Sequence, residues 1–134
     1  MTVGDRPLVG RRVLVVVDNH FVAEDIRQAI LEGGGSIVGP TATAAGALRL
    51  ITRDAPNTAV LGVVLEHATS GPVAKRLAEL RIPSLLITGL AKEAVPPALR
   101  NVPYLGKPYL REELISTLLY AIAEADRSPE QTMS

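Results

Sequence analysis

The stretch Val13-Leu14-Val15-Val16-Val17 most constrains what this chain can fold into, because it has no polar side chain at any position. Side chains of a strand point alternately to its two faces, so such a run needs apolar cover on both. Apolar stretches recur at Ser36–Pro40, Thr58–Leu65, Pro83–Thr88 and Val102–Leu105, and segments of helical period separate them. Phe21, Val22, Ile26, Ala29 and Ile30 repeat at helical spacing behind Asp18 and Asn19, which can cap them. Gly33-Gly34-Gly35 stops that helix. Ala44, Ala47, Leu48 and Ile51 follow Thr43 in the same way and end near Asp54-Ala55-Pro56. Glu66 to Pro72 reads as loop, and Val73 to Leu80 as a short helix.

A helix is expected after Gly89, but Pro96-Pro97 falls inside it. Proline in a helix interior removes a donor and clashes with the preceding turn, at about 3 kcal/mol. Any helix there starts near Pro97 and is short. Leu110, Leu114, Ile115, Leu118, Leu119 and Ile122 form a last amphipathic helix. Residues 1–11 read as an N-terminal extension, 12–124 as the folded domain, and 125–134 as a polar, aperiodic and disordered tail.

Strands and helices that alternate over short connections imply one α/β domain with a parallel sheet and helices on both faces. In such folds the ligand site lies outside the carboxyl ends of the strands. That rule selects Asp18, Asn19 and His20; Gly62 to His67; Thr88 and Gly89; and Lys107 and Pro108.

Charge and composition remove several function classes. Lys plus Arg and Asp plus Glu both number 14, so no basic excess favours nucleic acid. The absence of cysteine removes disulfides, thiolate metal sites and thiol catalysis. Met1 to Arg12 lacks a signal-peptide pattern, and no apolar stretch is long enough for a bilayer. The expectation is a cytoplasmic domain with neither nucleic-acid nor membrane partners. Gly33-Gly34-Gly35 follows a helix and precedes a strand, the reverse of a dinucleotide loop. Thr88 has no identifiable base, and no cofactor fingerprint appears, so an enzyme is not expected.

In order and spacing, these pieces resemble the receiver domain of two-component response regulators. The resemblance spans Arg12 to Glu124. It rests on Val-Leu-Val-Val-Val-Asp, Gly-Pro closing the second strand, Leu-Ile-Thr-Gly closing the fourth, and Tyr-Leu-Gly-Lys-Pro-Tyr near the end. It implies a flavodoxin-like, doubly wound sheet of five parallel strands in the order 2-1-3-4-5, as a single domain with a shortened fourth helix. It also implies a site in which an aspartate accepts a phosphoryl group beside magnesium, a hydroxyl residue and a lysine. Asp18 matches the metal-binding aspartate, Thr88 the hydroxyl residue, Lys107 the lysine and Tyr104 the aromatic switch. Val64 matches the residue whose carbonyl binds metal.

Two positions depart from the pattern. Val17 stands where a second acid is usual, and Gly62 stands where the phosphoacceptor aspartate is usual. Glycine cannot form an acyl phosphate. One remaining carboxylate should hold magnesium weakly at best, so no cofactor is expected. Asp18 and Lys107 are expected to pair, since a lone buried charge is costly.

The resulting expectation is an atypical receiver, a pseudo-receiver, that binds proteins without phosphorylation at the usual place. Partners would be a histidine kinase, a phosphotransfer protein or another receiver, including a second copy of this chain. The interface would use Tyr104, Leu114, Ile115, Leu118, Leu119 and Ile122, unless that stripe is buried within the monomer. Tyr104 reads equally as a switch or as a packed strand aromatic. Two alternatives stay open: Glu66 as a substitute acceptor for the phosphorelay, and a small anion or other ligand in the residual site. His20 and His67 with Asp18 and Glu66 could bind a transition metal, although isolated surface histidines are the commoner case.

Overall fold

The computed structural model describes residues 6–66 and 68–133, with Lys92 and residues 127–133 described by their backbone alone. Strands β1 (Arg12–Val16), β2 (Ser36–Thr41) and β3 (Thr58–Gly62) are joined by helices α1 (His20–Glu32) and α2 (Ala44–Asp54). A two-stranded hairpin, β4 (Val64–Leu65) and β5 (Ala68–Thr69), leads into α3 (Gly71–Glu79). Strands β6 (Ser84–Thr88) and β7 (Tyr104–Gly106) precede α4 (Arg111–Met133). The main sheet is parallel with strand order β2-β1-β3-β6-β7. Counting only its own strands, this is the expected flavodoxin-like order 2-1-3-4-5.

Alternation along β1 divides the core into two layers. Leu14 and Val16 face a cluster with Ala47 and Ile51 of α2 and Val73 and Leu77 of α3. Val13, Val15 and Val17 face the other layer, with Ile26 and Ile30 of α1 and Leu114 and Leu118 of α4. Each fully buried aliphatic side chain contributes about 1.5–3 kcal/mol, so the unbroken apolar run anchors both layers.

The helix starts follow the sequence chemistry. Asn19 accepts hydrogen bonds from the Phe21 and Val22 amides at 2.9 and 3.0 Å, and Thr43 accepts from the Gly46 amide at 3.0 Å. These three bonds satisfy first-turn donors that the helix itself cannot. The Glu113 carboxylate accepts from the Leu110 amide at 2.7 Å, which is half of a capping box for α4.

Several expectations need correction. β3 ends at Gly62, not Leu65, and the segment after it folds as the β4–β5 hairpin, where a plain loop was expected. The fourth helix is shortened as expected, to two single 3₁₀ turns at Lys92–Ala94 and Pro97–Leu99, consistent with the proline pair. Phe21 is exposed at 83%, because Val22, Ala23, Ile26, Ala29 and Ile30 already fill the face of α1 toward the sheet. The described part of the N-terminal extension packs on the domain. Leu8 is fully buried, and its amide donates to the Gly33 carbonyl at 2.8 Å. At the other end, the backbone of α4 continues helically to Met133 through the expected tail. Among the described residues, no helix is long and apolar enough to cross a membrane.

Candidate functional site

The carboxyl ends of β1, β3 and β6 and the residues after β7 converge on a cavity of about 170 Å³. Val17, Asp18, Gly62, Val64, Thr88 and Lys107 all line it, as do Asn19, Val22, Ile87 and Leu90. The sheet register explains the convergence. Gly62 pairs with Ile87, and Thr88 pairs with Gly106, the neighbour of Lys107. Residues separated by up to 90 positions (Val17 to Lys107) thus share one mouth.

At Gly62 the space for a side chain exists. A Cβ there would meet nothing nearer than Val17 Cγ1 at 3.5 Å, which is ordinary contact. The glycine is therefore no packing requirement; it leaves the cavity without a carboxylate at its centre. Val17, at the position of the usual second acid, is buried in the α1–α4 layer.

The charged groups do not behave as expected. Asp18 and Lys107 are both exposed, and neither belongs to an ion pair among the described residues. Water solvates each at the rim, so the burial penalty that would have forced them together is not incurred. Asp18 and Val64, the residues matched to the metal ligands, both line the cavity. Magnesium keeps several of its waters and is commonly bound through one or two carboxylates. Asp18 is the one carboxylate that lines the cavity among the described residues, and the Asn19 side-chain oxygen is committed to capping α1. No group of three or more metal-binding side chains occurs among the described residues.

Thr88 is 4% exposed, and its Oγ1 accepts from the Leu90 amide at 3.0 Å. The Tyr104 hydroxyl donates to the Leu90 carbonyl at 2.9 Å while the residue stays 37% exposed. Leu90 therefore tethers the loop after β6 to both the cavity and the edge strand. Nothing in the sequence marked Leu90, because both bonds use its backbone.

Other candidates separate from the site. Glu66 is exposed and does not line the cavity, and its amide donates to the Ala42 carbonyl at 3.1 Å. His20 packs edge-on against Phe21 with ring centroids 5.8 Å apart; His67 lies outside the described residues. Leu114, Leu118 and Ile122 are buried in the core and cannot form an interface, and Ile115 packs against the same core. Tyr104 and Leu119 remain exposed, joined by Tyr120 at 57%. A larger groove of about 570 Å³ lies at the opposite end of the sheet, between Pro83, Val102, Pro103 and Tyr120. It stands at the amino ends of β6 and β7, away from the carboxyl ends where this architecture binds ligands.

No protein-family profile and no curated protein sequence matches the chain. Solved structures do. The response regulator PhyR from Brucella abortus superposes with a TM-score of 0.73 at 24% identity, covering 93% of this chain and 54% of PhyR. SdrG from Sphingomonas melonis Fr1 gives 0.74 at 28% identity, covering 86% and 97%. The signal receiver domain of the Vibrio parahaemolyticus protein assigned as a Luxo repressor gives 0.73 at 19%, covering 89% and 95%. The chain has the fold of response-regulator receiver domains. It spans about half the length of PhyR.

Proposed function

We propose that this domain is a receiver-type signalling module that acts by binding a protein partner and is not switched by phosphorylation at the usual position. One observation carries the reading: Gly62, at the end of the central strand β3, lines the same cavity as Thr88 and Lys107 and offers no carboxylate. The similarity to response-regulator receivers supports a role in two-component signalling. A histidine kinase, a phosphotransfer protein or a second receiver is the partner class, and a homodimer is the simplest version. Tyr104 on β7 and Leu119 on α4 supply exposed apolar surface for that contact. Catalysis is not part of the role, and neither is a resident magnesium ion.

The test is incubation with acetyl phosphate and magnesium, followed by intact-mass measurement. No mass gain is expected, and beryllofluoride with magnesium should leave the spectrum of the folded protein unchanged. A covalent phosphate on any residue overturns the reading. If labelling appeared and Glu66→Gln removed it, the substitute-acceptor alternative would replace this one. The position of Glu66, exposed and outside the cavity lining, argues against that alternative. Partner binding is expected to weaken on Leu119→Glu with no change in the thermal midpoint.

A further inference from the structure

We propose that the groove at the amino ends of β6 and β7 binds a small organic monocarboxylate, with the apolar body of the ligand in the groove and its carboxylate on Arg81. The site lies at the far end of the sheet from Gly62, so its test is independent of phosphorylation. The groove holds about 570 Å³, within the range of about 300–1,000 Å³ that small-molecule sites occupy. Loops after the strands build the usual ligand site of this architecture; the turns before β6 and β7 build this one. Ala74 and Ala78 of α3 and Ala121 of α4 line it, and larger side chains at these positions would fill it. Exposed Tyr120 adds an aromatic ring against which a flat apolar body can pack.

Arg81 is the one cation that lines the groove among the described residues. Its backbone is left-handed, with φ 59°, just beyond the end of α3. There the Arg81 amide donates to the Ala78 carbonyl at 3.0 Å, and the Ile82 amide donates to the Leu77 carbonyl at 2.9 Å. This pair of bonds closes a helix, and glycine is the usual residue at the position Arg81 holds. Arginine there accepts backbone strain that glycine would avoid. Its side chain makes no ion pair among the described residues in return. A planar guanidinium can hold a carboxylate through two parallel hydrogen bonds, and Asn101 on the same lining offers a further amide donor.

Arg81 is exposed, so water screens its charge. Affinity therefore comes chiefly from burial of the apolar body, and the guanidinium selects the head group. Glu124 lines the same groove and has a partner of its own. Its charge stands against a second negative charge on the ligand, which is why a single carboxylate fits better than a dianion.

Indole-3-acetate is the probe, titrated into the full chain at constant ionic strength and followed by amide NMR. Saturable shifts are expected at Ala78, Arg81, Ser84 and Ala121, with Gly62 and Gly89 unmoved. Indole-3-acetamide, the uncharged counterpart with the same ring, should bind about threefold to tenfold more weakly, the span from an exposed ion pair to a charge-assisted hydrogen bond. Arg81→Gln should erase that difference. Arg81→Gly should erase it too while holding or raising the thermal midpoint, because it relieves the left-handed backbone. Ala78→Phe should remove binding of both compounds by filling the groove. Shifts that never saturate, equal affinity for acid and amide, or a preference for the acid that survives Arg81→Gln would overturn the proposal.

Discussion

Two glycine-bearing regions of this molecule are glycine for different reasons. At Gly33-Gly34-Gly35 the N-terminal segment lies directly over the chain. A Cβ on Gly34 would come within 2.9 Å of Val9 Cγ2, and one on Gly35 within 2.9 Å of Ile30 Cγ2. Gly34 also has φ +92°, a conformation that side chains disfavour. At Gly62 the nearest approach is 3.5 Å and the backbone is an ordinary strand end. The first region is glycine because packing demands it. At the second, packing would accept a side chain, so what glycine changes there is the chemistry of the cavity.

The sharpest way to break this contrast is to remove what sits on the first region. Leu8→Ala should destabilise the fold by about 2–5 kcal/mol in urea unfolding, as for other fully buried leucines. A loss well under about 1 kcal/mol would mean that the N-terminal segment does not dock in solution. Next in size, Gly34→Ala should cost about 1–3 kcal/mol from the left-handed backbone and the Val9 and Arg6 contacts. By contrast, Gly62→Ala should stay within about 1 kcal/mol of the parent, on the stabilising side, because alanine loses less backbone entropy in a strand. A large loss there would show that glycine at 62 is structural after all.

The smallest effect concerns pH. Tyr109, two residues beyond Lys107, has its phenol pushed above the ordinary range, chiefly by burial and secondarily by the Asp25 charge. The raised folded-state value favours the neutral phenol. Its contribution is therefore complete below the unfolded value of about 10 and is lost as pH rises through the folded value. Tyr109→Phe should flatten the alkaline fall in stability while leaving neutral-pH behaviour nearly unchanged. An unaltered alkaline limb would place the responsible group elsewhere.

The other end of Tyr109's environment shows how surface charge orients the helices without fixing the fold. Arg111 at the start of α4 reaches Asp25 at 3.2 Å and Glu32 at 3.0 Å on α1. These exposed pairs set how the two helices lie together, and burial of Ile26, Ile30, Leu114 and Leu118 supplies the stability.

Much of the architecture was legible in the sequence. Unbroken runs such as Val13–Val17, helix caps at Asn19 and Thr43, and the proline pair at 96–97 each act through local sterics or local hydrogen bonds. The sequence also named Asp18, Gly62, Thr88 and Lys107, because a parallel sheet brings strand ends together whatever the loops between them do. Tertiary structure decided what depends on neighbours distant along the chain. It placed Leu8 over the triple glycine, left Asp18 and Lys107 apart in water, and buried Leu114, Leu118 and Ile122 within the monomer. The physical reason is range. Periodicity and capping are written within a few residues, whereas solvation of a charge or cover of an apolar stripe depends on which surfaces meet.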